Sequence, residues 1–317
     1  MTAPFRPGLG ALGLPAADLD AVLAGDLTAD AVVLGLPFDA GVPGVPGQRH
    51  GPEIFRKLSP THPWSVDENG ALGAVLDPVT RGPVLSGRRV FDVGDLGSVP
   101  IDPRVGRGSY YKTLTRLSEQ LAATGTLPIL IGGDHSLSAP AATGAAAVYG
   151  PLRFMCFDAH CDFSARPMPD ATDITHADFL GHLLQAGTIS DAELYGVRTY
   201  LPADCGPLPD ALRCAYSYSP GEEAADNRPT YLSVDLDVIE PAAFPATGHP
   251  EAGGYQLREL LAAVEHVCRT RRVVAVDIVE ALQDDRENRA TSATVSALVM
   301  TCLRALLEHP RERETTR

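Results

Sequence analysis

Three short apolar runs in this chain each break off into side chains that bind divalent metal ions, and this pattern constrains the fold more than any other feature. Phe154 to Phe157 is apolar on consecutive positions, as a strand covered on both faces should be. It runs into Asp158, His160 and Asp162, which project to one side if the extended conformation persists, because strand side chains alternate between faces. Taken alone, the triplet also reads as a charged loop with Asp158 capping a helix. Two further runs tip the balance. Thr230 to Val234 ends in the alternating pair Asp235 and Asp237, and Leu127 to Ile131 ends in a Gly-Gly turn that delivers His135.

In an open α/β sheet, ligands bind outside the carboxyl ends of the strands. The three strand ends therefore offer His135, Asp158, His160, Asp162, Asp235 and Asp237 to one crevice. Four carboxylates and two imidazoles, with no thiolate pair, suit manganese or a similar divalent ion better than zinc. Six ligands with carboxylates able to bridge point to two metals sharing one water.

The rest of the sequence alternates strand and helix signals. Strands are expected at 31–36, 89–93, 127–131, 152–157, 194–197, 213–216, 231–234 and 273–278. Helices are expected at 110–123, after Ser136, and at 179–185, 256–269 and 290–308. That alternation predicts an α/β fold of three αβα layers around a mainly parallel sheet of about eight strands. No repeat or linker divides the 317 residues, so they read as a single domain. Its core is expected at 30–309, with residues 1–29 as an N-terminal extension and 310–317 as a flexible tail.

No apolar run reaches the roughly 18 residues that span a membrane, and Met1 to Pro15 lacks the pattern of a signal peptide. Cys156, Cys161, Cys205, Cys214, Cys268 and Cys302 show no paired spacing and read as reduced thiols, so a cytoplasmic location is expected. Cys161, between two candidate ligands, should face away from them and pack. The formal net charge of −14 argues against a nucleic-acid partner and favours a small cationic one.

Gly132 to Ser136, Asp158 to Asp162 and Ser233 to Asp237 resemble the three metal signatures of the arginase/agmatinase (ureohydrolase) family. Gly35 to Asp39 and Gly47 to Pro52 fit the same family's early loops. The resemblance implies an arginase-like fold, two Mn2+ per subunit, a guanidino substrate and a homotrimer or homohexamer. It implies that His135 and Asp162 hold one ion, that His160 and Asp237 hold the other, and that Asp158 and Asp235 bridge. Asp162 would also pass a proton to the leaving amine, Glu280 would grip the guanidinium, and His176 would act as general acid.

Departures from the family pattern bear on the substrate. Glu240 stands where aspartate is usual, His249 where threonine is common, Ala177 where glycine follows the histidine, and Ala281 begins a run that commonly carries Asn-Pro. The loop Phe163 to Thr175 lacks the Ser-Gly-Asn that holds the amino-acid end of arginine, and carries Arg166, Asp170 and Asp173 instead. These point to an agmatinase-like or guanidino-acid amidinohydrolase rather than a true arginase. A formimino-type hydrolase releasing formamide and a catalytically silent metal-binding relative are the alternatives.

Overall fold

Leu152–Phe157 lies inside an eight-stranded sheet with every position buried, as the apolar run Phe154 to Phe157 requires, and Arg153 is buried against Asp191. The computed structural model describes residues 10–97, 103–166, 173–201, 205–221, 226–283 and 288–308. Its strands are β1 (Ala31–Gly35), β2 (Val75–Leu76), β3 (Pro83–Val84), β4 (Val90–Asp95), β5 (Leu127–Ile131), β6 (Leu152–Phe157), β7 (Ile189–Tyr195), β8 (Leu212–Ala215), β9 (Asp226–Asp235) and β10 (Arg271–Val279). Its helices are α1 (Leu19–Leu23), α2 (Gly51–Leu58), α3 (Pro103–Thr124), α4 (Ser138–Tyr149), α5 (Phe179–Gln185), α6 (Leu257–Thr270) and α7 (Arg289–Leu307).

The main sheet runs β4-β1-β5-β10-β9-β6-β7-β8, and every pairing in it is parallel. Strand alternation divides its side chains between two cores. Met155 and Phe157 face one that includes α6 and α7. Phe154 and Cys156 face the other, which includes residues of α3, α4 and α5. The expected three αβα layers result.

Register places the site. Ile131 of β5 pairs with Ile278 of β10, Ile278 with Val234 of β9, and Val234 with Phe157 of β6. Four adjacent strands thus end in line at one edge, and the next residues out are Gly132, Val279, Asp235 and Asp158.

The structure departs from the expected boundaries in several places, among them α3, which begins at Pro103 rather than 110, and β9, which begins at Asp226 rather than 231. Residues 10–29 are not an appendage outside the core. Ala11, Leu12 and Leu14 are fully buried, Ala11 N donates to Asp92 Oδ2 (2.8 Å), and Asp92 N donates to Pro15 O (3.0 Å). The segment lies along β4, an edge strand whose free hydrogen-bonding groups need a cover. Strand β7 begins at Ile189 rather than 194, because Asp191 and Glu193 hide its apolar signal. Both pair with Arg153 of β6, and Glu193 also meets Arg213 of β8. The hairpin β2–β3 and the short helices α1 and α2 were not anticipated. Residues 1–9 and 309–317 lie outside the described part, so the expected tail does too.

Helix α7 is long and apolar enough to cross a membrane by length and composition. Here Val295, Leu298, Val299, Cys302 and Leu303 are instead buried in the core that α6 shares.

Candidate metal centre

All six predicted ligands converge beyond the aligned strand ends. His135 Nδ1 lies 3.1 Å from Asp158 Oδ2, from Asp162 Oδ2 and from Asp235 Oδ2. His160 Nδ1 lies 2.8 Å from Asp237 Oδ2 and 3.6 Å from Asp158 Oδ1. The two oxygens of Asp158 therefore face different histidines. Local turns aim these groups. Asp158 Oδ1 accepts from His160 N (2.6 Å), Asp235 Oδ1 from Asp237 N (2.8 Å), and Asp237 Oδ1 from Ala159 N (3.1 Å). Asp162 holds a positive φ of 46° and Glu280 one of 64°, a left-handed conformation uncommon for non-glycine residues.

Three observations fit a pair of divalent cations here. His135 Nδ1 is buried without a hydrogen bond, although three carboxylate oxygens surround it. Donors about 2.1 Å from one octahedral ion stand roughly 3 Å apart, which matches that spacing. Burial together with neighbouring carboxylates pushes Asp162 up to about 6 and raises Asp235 and Asp237 as well. Three of the four carboxylates thus resist charging in one dry space, while at Asp158 burial is outweighed by His135 and His160, which hold it low. Cations among the four remove the conflict.

Cys156 also comes within reach, its Sγ 3.8 Å from His135 Nε2 and 3.9 Å from Asp158 Oδ2. It meets the ring nitrogen that faces away from the carboxylate oxygens, and burial pushes its thiol well up. A neutral thiol in that place packs rather than ligates, so the donor set stays oxygen-rich.

His135 Nε2 is instead held by Ser233 Oγ (2.9 Å), which donates to Asp277 Oδ1 (2.5 Å). Asp277 Oδ2 accepts from Ser138 Oγ (2.6 Å) and Tyr231 OH (2.7 Å). This buried relay fixes which face of the imidazole turns to the carboxylates. Its members were missed in the sequence, because they sit on strand faces and a helix start that read only as core.

Glu280 ends β10 beside the cluster. Its Oε1 accepts from His135 N (2.9 Å) and faces His176 Nδ1 (3.1 Å), while Oε2 accepts from Gln48 Nε2 (2.9 Å). Burial opposes its charge, but hydrogen bonding to His176 holds Glu280 below the usual carboxylate range. Burial likewise opposes charge on His176, and Glu280 outweighs it, lifting the imidazole to about 9. Gln48 was not singled out from the sequence, since only folding reveals that it meets Glu280. Gln48 Oε1 and Thr247 Oγ1 are both buried with no hydrogen-bond partner.

Of the residues expected to contact substrate besides Glu280, His249, expected beside the guanidinium, lies closest to the cluster. It is exposed, with its ring 5.2 Å from that of His176 and 6.0 Å from that of His160. Arg166 and Asp173 are exposed. Asp170 lies outside the described residues. Glu240 accepts from Gly253 N and Gly254 N, closing a loop rather than entering the site.

The sequence profile of the Arginase family matches residues 29–304. The chain belongs to the arginase family. It is an arginase-family ureohydrolase, a hydrolase of guanidino C–N bonds, in a family of binuclear metal enzymes. The proclavaminate amidinohydrolase of Streptomyces clavuligerus is 29% identical over 262 residues, which span 75% of this chain and 76% of the relative. The guanidinopropionase of Pseudomonas aeruginosa is 30% identical, with 87% of this chain and 86% of that one covered. A solved structure of the S. clavuligerus amidinohydrolase superposes with a TM-score of 0.70 at 27% identity, covering 96% of this chain and all of that one. The parallel sheet with helices on both faces is therefore the arginase-family fold.

Proposed function

We propose that this ureohydrolase is a binuclear-manganese amidinohydrolase, cleaving a guanidino compound other than arginine to urea and a primary amine. The observation that carries this reading is the Glu280–His176 pair, set against His135 of the six-ligand cluster. His135 and Asp162 would hold one ion and His160 and Asp237 the other, with Asp158 and Asp235 shared. When bound, two divalent cations supply Lewis acidity and lower the pKa of water to near neutrality.

The chain's own groups do the rest. Glu280, held ionised, accepts N–H bonds from the planar guanidinium and sets its carbon beside the carboxylate cluster. Asp162 accepts a proton from the attacking water. His176, positively charged at neutral pH, donates its proton to the departing nitrogen; as the C–N bond breaks, the former water's remaining proton also passes to that nitrogen, so urea and a protonated amine leave. Relatives named agmatinase and guanidinopropionase support a non-arginine guanidine as substrate, either an amine such as agmatine or a guanidino acid. The reading includes a cytoplasmic homo-oligomer, a trimer or hexamer.

The test is urea release from manganese-loaded protein given agmatine, 3-guanidinopropionate, 4-guanidinobutyrate, arginine and a formimino amino acid. Urea from one of the first three supports the reading. Formamide from the last alone replaces it with a formimino hydrolase, and no product from any means a silent relative.

A further inference from the structure

Cys161 sits between His160 and Asp162, and its Sγ lies 3.6 Å from that of Cys214 on β8, 53 residues along the chain. Cys161 is buried at 3% exposure, whereas Cys214 is open to solvent on the terminal strand of the sheet. One thiol is thus accessible to an oxidant, and the other waits directly behind it. No other described cysteine offers this arrangement. Cys268 and Cys302 contact each other but are both buried between α6 and α7, and Cys156 is enclosed beside His135.

We propose that Cys161 and Cys214 form a reversible modification site, a disulfide whose closure disturbs the metal loop. A low-molecular-weight disulfide serves as oxidant. The Cys214 thiolate attacks it and releases one thiol. The Cys161 thiolate then attacks Cys214 Sγ and releases the second. Two protein thiols become one S–S bond, and one external disulfide becomes two thiols.

Closing the pair from 3.6 Å to a bonded distance of about 2.05 Å moves the sulfurs together by roughly 1.5 Å. Neither strand end is free to follow alone. Cys214 is held in β8 by its pairing with β7, and His160 and Asp162 flank Cys161 on either side. Asp162 already stands in a left-handed conformation with φ 46°, so the loop has little slack, and the movement passes into the candidate ligands. In a reducing compartment such a bond is transient and acts as a sensor rather than a staple.

The proposal rests on His160 and Asp162 being metal ligands, but its test needs no substrate. Manganese-loaded wild type and Cys214→Ser are incubated with oxidised glutathione and desalted, then examined by non-reducing peptide mass mapping and elemental analysis. The expected result is a Cys161–Cys214 peptide in wild type, loss of at least one of its two ions, and Cys268 and Cys302 still reduced. Cys214→Ser should keep its full metal complement, and a thiol reductant with fresh manganese should restore the wild type. Metallated wild type that forms no bridge overturns the proposal, as does a bridge with all metal retained or equal metal loss from Cys214→Ser. Untreated wild type that binds no manganese overturns the ligand assignment and this proposal together.

Discussion

Gln48 and Glu280 lie 232 residues apart in sequence, yet the Gln48 side-chain amide donates to Glu280 Oε2 across 2.9 Å. Glu280 Oε1 is engaged by His135 N and His176 Nδ1. Both oxygens of the proposed guanidinium anchor are therefore partly committed before any substrate arrives, and the unpartnered Gln48 Oε1 stands beside them as a further acceptor.

Replacing Gln48 by leucine keeps the volume and removes both the donor and the acceptor. Losing a hydrogen bond to a buried charge costs about 1–3 kcal/mol, so kcat/KM for the guanidino substrate should fall by roughly tenfold or more. Metal content should stay intact. Steady-state kinetics with elemental analysis decides, and an unchanged kcat/KM removes Gln48 from the account.

Asp158 faces both histidines and so carries the claim of a shared ligand. Asp158→Asn should retain at most one ion and lose nearly all activity, and treatment of wild type with a chelator should have the same effect until manganese is restored. Two tightly held ions in Asp158→Asn, by elemental analysis, contradict the bridging role.

Ser233 holds His135 through Nε2 and has no ligand role of its own. Ser233→Ala should weaken metal binding by roughly 10–100-fold while the fold survives. Competition against a chromogenic chelator measures this, and equal affinity in the two proteins shows that the relay to Asp277 only packs.

His176 is lifted to about 9 because Glu280 outweighs burial. A raised pKa means that the acid form is present at neutral pH and is lost as pH climbs. The rate should therefore fall on the alkaline side, with a midpoint at or below about 9 since bound cations oppose the positive charge. His176→Ala should abolish that limb and lower kcat by roughly 10²–10⁴-fold with both ions retained. A pH profile of the variant parallel to wild type points to another donor, with His249, 5.2 Å away ring to ring, the next in line.

The convergence of the six candidate ligands was legible in the sequence because it follows from where the strands end. Parallel strands of similar length bring their ends to one edge; the extended conformation expected through Asp162 stops at Phe157, and local turns there aim Asp158, His160 and Asp162 instead. What escaped notice depends on contacts that no local rule encodes. Gln48 meets Glu280 only after the chain has wound across the sheet, and Ser233 and Asp277 look like ordinary strand interior until His135 is placed over them. Strand β7 is longer than its apolar signal because Asp191 and Glu193 are polar, yet pair with Arg153 and Arg213 inside the sheet. The far end of the substrate pocket was named by chemistry alone. Arg166 and Asp173 prove exposed, whereas His249, expected beside the guanidinium, stands near the reacting groups.

The central claim is tested most directly by steady-state urea release from manganese-loaded wild type, comparing arginine with agmatine and the two guanidino acids at matched concentrations. Contacts to the unreactive end of a substrate position its reacting carbon, so a wrong tail depresses turnover as well as affinity. The account predicts that agmatine or a guanidino acid has the highest kcat/KM and that arginine is poor. Arginine as the best substrate, or no urea from any guanidine, would contradict it.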